Sequence, residues 1–248
     1  MKRDVMKRDV MRRDMMKRDE IPPTYSCLPP LTKGGRGVGD MIVRNWRAMQ
    51  LLWIAALLAV GASSAYAHHV MDYAMPATAL EGLLSGLGHP VIGIDHLLFI
   101  VGAGVLAARL KREYLLLLVF VVASVSVAGM RYLGVDVGLD ELWIAGSLVV
   151  LGAIMVAARE PAGGAVAGLF LVTGAFHGYA LAEAIVGAER TPLVAYLAGL
   201  ALIQCAIALA AWRVANWLAT HRPRVPFQRL VGAAVAAAGL VFAGLAAL

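Results

Sequence analysis

The sequence predicts an all-α integral membrane protein, a bundle of six transmembrane helices behind a cleaved signal peptide. Three observations lead there. Hydrophobic residues fill 60% of the 248 positions, where soluble domains sit at about 45–50%. They fall in blocks of about 17–25 residues, the length needed to cross a hydrocarbon core about 30 Å thick. The basic residues between the blocks divide unevenly between alternate connections, as they do when a chain weaves through a bilayer.

Residues 1–40 stand apart from that pattern. "MKRDVMKRDVMRRDMMKRDE" repeats the unit M-(K/R)-R-D-x without an apolar face, so it cannot bury a core. Pro22-Pro23, Pro29-Pro30 and Gly34-Gly35 then mark a flexible linker. We read 1–40 as a disordered repeat and linker leader upstream of the native start. From Met41 the text changes. Arg44 and Arg47 precede the apolar core "LLWIAALLAVGA", and Ala65-Tyr66-Ala67 supplies a small-x-small cleavage motif. That is a Sec-type signal peptide over 41–67, so the mature chain is expected to start at His68. N-terminal sequencing of membrane-extracted protein checks this, and a terminus upstream of Ser63 contradicts it.

Residues 68–248 form the transmembrane domain, with spans expected at 90–109, 114–131, 141–158, 163–187, 192–214 and 228–247. A signal peptide leaves the mature N-terminus outside, so the first, third and fifth connections face the cytoplasm. They and the adjoining helix ends hold Arg109, Lys111, Arg112, Arg159, Arg213, Arg222, Arg224 and Arg229, whereas the outer side holds Arg131 and Arg190. That asymmetry obeys the positive-inside rule and places both mature termini in the periplasm of a bacterial inner membrane. Gly164-x-x-x-Gly168 and Gly174-x-x-x-Gly178 predict close helix contacts.

The net charge of +6 comes entirely from residues 1–67, with twelve Lys/Arg against six Asp/Glu; residues 68–248 hold ten of each. The basic balance therefore does not point to nucleic acid. Cys27 and Cys205 offer neither a disulfide framework nor a CxxC metal site, and Cys205 reads as helix packing.

Few polar side chains remain inside the spans. An ionised aspartate there costs roughly 2.5–3.5 kcal/mol at a helix centre, so a chain that retains one generally uses it. His89, Asp95 and His96 fall in the first span, and His177 and Glu183 in the fourth. Gln204 in the fifth reads as an interhelical hydrogen bond. On one continuous helix His89 and His96 share a face, with Asp95 about 100° round from His96. Pro90 takes a first-turn position and leaves His89 at the mouth. At 1.5 Å rise per residue His96 lies roughly 10 Å below the outer surface, His177 about 15 Å and Glu183 about 6 Å. Imidazoles with carboxylates and no thiolate suit nickel, cobalt, copper or zinc. His68, His69 and Asp72 at the mature N-terminus add an outer capture site.

At these residues the chain resembles the HupE/UreJ family, the hydrogenase- and urease-associated nickel/cobalt permeases. The motif H-P-x-x-G-x-D-H is matched by His89, Pro90, Gly93, Asp95 and His96. The motif F-H-G-x-A-x-G-x-E is matched by Phe176, His177, Gly178 and Ala180, then departs: Ala182 replaces Gly and the acid comes one residue early, at Glu183. The resemblance covers about residues 68–248. It implies secondary uptake of Ni²⁺ or Co²⁺ as substrate, with no prosthetic group, no ATPase subunit and no enzymatic activity. The chain has no P-loop pattern, which agrees. The alternatives are an intramembrane metal-dependent enzyme, against which the absence of HExxH speaks, or a permease for copper or zinc.

Overall fold

The computed structural model describes residues 75–110, 113–135, 141–157, 160–224 and 226–247, and every regular element among them is helical. The leader, the signal peptide, His68, His69 and Asp72 lie outside the described residues, as do Lys111, Arg112 and Arg159.

The first departure from the sequence expectation is at the first span. It is a broken pair: α1 (Ala79–Ile92) and α2 (Ile94–Ala107) meet at Gly93 with a bend of 78°. Helix α1 begins well before position 90 because Thr78 and Glu81 form a capping box. Thr78 Oγ1 accepts from the Glu81 N–H at 3.2 Å, and Glu81 Oε2 accepts from the Thr78 N–H at 3.1 Å. Pro90 therefore lies in the last turn of α1, not the first turn of a span, and His89 is buried rather than at a mouth. Gly93 adopts an extended backbone (φ −70°, ψ 95°), which stops the helix. A Cβ there would meet His96 Cδ2 at 2.7 Å, so a larger residue at the break would push on the His96 ring.

The remaining helices follow the apolar blocks more closely. They are α3 (Glu113–Tyr132), α4 (Glu141–Val156), α5 (Gly163–Leu181), α6 (Arg190–His221) and α7 (Phe227–Ala246), with a 3-10 turn Ala182–Ile185 after α5. Among the described residues four helical stretches are long and apolar enough to cross a membrane: Tyr114–Tyr132, Gly163–Ile185, Arg190–His221 and Phe227–Ala246. The bent pair makes five if it counts as one span, and Glu141–Val156 is a shorter apolar helix. Its 16 residues reach about 24 Å.

Helices pack as α1 on α6, α3 on α5 and α4 on α7, and α2 contacts α6, α4, α7, α1 and α3. Phe99, Ile100, Leu106 and Ala107 of α2 are fully enclosed. Glycines set the close approaches: Gly82 and Gly86 of α1 meet the α6 backbone at Pro192 and Tyr196, and Gly152 of α4 meets Gly232 of α7. Of the two expected glycine pairs, Gly174 and Gly178 do bring α5 against α3, at Phe120 and Ser124. Gly164 and Gly168 have nothing within 4 Å, so that pair makes no contact here. Outward faces carry Leu118, Val122, Leu171, Val172, Leu202 and Leu240, all exposed. A surface this apolar is matched by hydrocarbon rather than water.

Candidate metal site

The helix break creates the site. Asp95 and His96 sit in the first turn of α2, at the end of the helix where backbone N–H groups are oriented towards incoming acceptors. Asp95 Oδ1 accepts from the His96 N–H at 2.8 Å. The helix N-terminus, with its positive dipole end, thus holds the carboxylate. A half-buried aspartate here does not depend on a bound cation alone for compensation.

His96 meets His177 of α5 across the core, with the two Nδ1 atoms 2.8 Å apart and ring centroids at 4.9 Å. Both rings are buried, His96 3% exposed and His177 fully enclosed. His177 Nε2 lies 3.0 Å from Ser147 Oγ of α4, and that hydroxyl donates to the Ile144 carbonyl at 2.6 Å. Behind the pair, Phe99 and Phe120 lie 4.6 and 5.9 Å from the His177 ring and, with Phe170, form an aromatic floor. His89 comes within 6.3 Å of His96 from α1, edge to face. Its Nδ1 lies 3.2 Å from the Tyr196 hydroxyl of α6, which donates to the Leu181 carbonyl. His89 and His96 therefore converge from two helices and do not share a face of one.

The expected ligand set is only partly gathered. Glu183 is exposed in the 3-10 turn. Helix α5 ends at Leu181, and Arg131 secures that end by donating to the Tyr179 carbonyl at 2.6 Å while lying 4.1 Å over the Tyr179 ring. Among the described residues no group of three or more His, Cys, Asp or Glu side chains is placed to hold a metal ion. The set His89, Asp95, His96, His177 and Glu183 is thus not assembled as a closed coordination sphere. What exists is a buried imidazole pair with Asp95 one residue away and His89 adjacent.

Gln204 behaves as expected: its Nε2 donates to Ser124 Oγ of α3 at 3.0 Å, although its Oε1 has no partner among the described residues. Cys205 is half-buried against the main core, a packing role. Sequence inspection missed Ser147, Tyr196 and the three phenylalanines. A single Tyr or Ser within an apolar helix was the available signal for the first two.

Fold and site together define an α-helical protein of membrane type, with a histidine pair buried beside a helix break. Residues 55–242 match the family model described as HupE / UreJ protein, and the chain belongs to that family. The family is of membrane-transporter type and is associated with nickel/cobalt uptake or accessory function. No curated protein and no solved structure matches the chain.

Proposed function

We propose that this protein is a secondary, non-ATP-driven permease that takes up a divalent transition metal, nickel or cobalt, across the bacterial inner membrane. The observation that carries the proposal is the His96–His177 contact. Two imidazole nitrogens bound to one ion at about 2.05 Å stand about 2.9–3.4 Å apart, from right-angled to tetrahedral geometry. The two Nδ1 atoms at 2.8 Å are nearly at that spacing already. A modest rotation of the rings, with the His96 proton moved from Nδ1 to Nε2, would let an ion take the place of the shared proton, and Asp95 would supply negative charge.

In this scheme His68, His69 and Asp72 capture the ion in the periplasm, and Asp95, His96 and His177 bind it as it loses water, with the buried His89 beside them as a further ligand. Glu183, exposed and off the motif spacing, contributes at the entrance. The aromatic floor then bars direct passage, so release inward requires the floor to move. The bilayer and the ion are the partners; no prosthetic group and no ATPase subunit take part. The proposed topology counts the bent pair α1–α2 and the short α4 as spans, giving six.

Uptake of nickel and cobalt by cells expressing the protein tests the proposal. Asp95→Asn and His96→Ala variants, inserted at parental level, are expected to lose accumulation; unchanged accumulation would refute the site. Asn keeps the size and hydrogen bonding of Asp95 while removing its charge. Topology has its own check. An alkaline phosphatase fused to the C-terminus should be active and a green fluorescent protein fusion dark, whereas the reverse pattern means an odd number of spans.

A further inference from the structure

We propose that Ser147 and Tyr196 are positioning residues that hold a ring proton on Nε2 of His177 and on Nδ1 of His89. The inference rests on the metal-uptake reading for its consequence, but not for its geometry. A neutral imidazole has one N–H and one lone pair, and which nitrogen holds which is set by the partner of the other. A hydroxyl has a single proton. Ser147 gives that proton to the Ile144 carbonyl at 2.6 Å. A carbonyl cannot donate, so Ser147 Oγ can meet His177 Nε2 at 3.0 Å only by accepting from it. His177 therefore carries its proton on Nε2 and its lone pair on Nδ1.

The chain of logic continues to the next ring. His177 Nδ1 faces His96 Nδ1 at 2.8 Å, so in the metal-free protein His96 donates there. Every bond in this series points the same way: His96 to His177, His177 to Ser147, Ser147 to a backbone carbonyl. At the other side the same device recurs independently. Tyr196 donates to the Leu181 carbonyl, so its oxygen accepts from His89 Nδ1 at 3.2 Å and holds a ring proton on that nitrogen.

The two anchors are on different helices, α4 and α6, and each ends on a backbone carbonyl, Ile144 within α4 and Leu181 at the end of α5. A carbonyl cannot change its role, so the orientation is built into the fold rather than left to equilibrium. Metal can bind His177 through Nδ1 alone, on the side that faces His96. A proton on the opposite tautomer would occupy that position. Groups that orient a metal-bound imidazole in this way commonly control affinity by about 10–100-fold.

The test uses the full chain in detergent with ¹⁵N-labelled histidine, metal-free, with His177 assigned by its loss in a His177→Phe variant. Nitrogen shifts separate the protonated from the lone-pair position. The parent and Ser147→Thr are expected to show His177 protonated at Nε2, and Ser147→Ala a mixture of both forms. Tyr196→Phe should do the same to His89. Co²⁺ added as probe and followed by its visible absorption should bind about 10–100-fold more weakly to Ser147→Ala and recover in Ser147→Thr. A parent protein with His177 protonated at Nδ1 overturns the inference. So does Ser147→Ala with parental shifts, or with mixed tautomers and unchanged Co²⁺ affinity. A parent that shows the fixed tautomer, loses it in Ser147→Ala, and binds no Co²⁺ supports the anchoring and instead sinks the metal-uptake reading.

Discussion

Replacing His177 by Phe should lower nickel and cobalt accumulation by about 100-fold or more while leaving inserted protein. Phe is chosen because the His177 ring already lies among Phe99 and Phe120, at 4.6 and 5.9 Å, so an aromatic ring of similar shape keeps that packing. What disappears is the Nδ1 that faces His96 at 2.8 Å. Groups that merely orient a ligand cost about 10–100-fold in affinity or activity when removed, and a direct ligand should cost at least the upper value. Two ligands of one ion act as a unit. Hence His96→Leu combined with His177→Phe should reduce accumulation no further than either change alone. Stability should behave differently. His177→Phe takes the acceptor from a buried His96 N–H, at a cost of about 1–3 kcal/mol, and removing both partners together should recover part of that. Thermal unfolding in detergent alongside isotope uptake reads both quantities. Additive transport losses would mean that the two histidines serve separate steps.

How far the sequence itself revealed this arrangement depends on the element. The apolar blocks located α3, α4 and α7 to within a few residues, because hydrocarbon length imposes a long, continuous signal. The first span was misjudged because two local effects outweighed hydropathy. The Thr78–Glu81 capping box starts a helix inside a segment that scans as a polar approach, and Gly93 ends it two residues before Asp95. Both were visible as T-x-x-E and as an isolated Gly, but hydropathy averages erase them. His96 and His177 were identified from their residue type in an apolar setting, and they do meet. Glu183 was placed by counting along an ideal helix, and the 3-10 turn after Leu181 breaks that count. The hydroxyls of Ser147 and Tyr196 left no periodic trace, since their significance lies in contacts made 30 and 107 positions away along the chain.

Gly178→Ala should destabilise the protein markedly and reduce uptake, whereas Gly164→Ala and Gly168→Ala should not. The four-residue spacing is the same in both glycine pairs, so the contrast isolates packing from helix propensity. A Cβ on Gly178 would come within 2.6 Å of both the backbone carbon and the Cα of Ser124, and closer still to its carbonyl oxygen. Backbone cannot rotate aside as a side chain can, so α5 and α3 must separate. Overpacking of this kind typically costs about 1–3 kcal/mol, and occasionally more. At Gly164 and Gly168 a Cβ has nothing within 4 Å, and Ala is the better helix former by about 0.8–1.0 kcal/mol. Those variants should therefore melt at the parental temperature or above it. The functional loss at Gly178 follows from its neighbour. Moving α5 away from α3 carries His177 with it, and the spacing to His96 Nδ1 and Ser147 Oγ, 2.8 and 3.0 Å, has little tolerance for such a shift. Melting curves of the three variants in detergent, with uptake measured at matched expression, decide the matter. A Gly178→Ala protein as stable and active as the parent would mean that α3 and α5 do not hold the histidine pair in place.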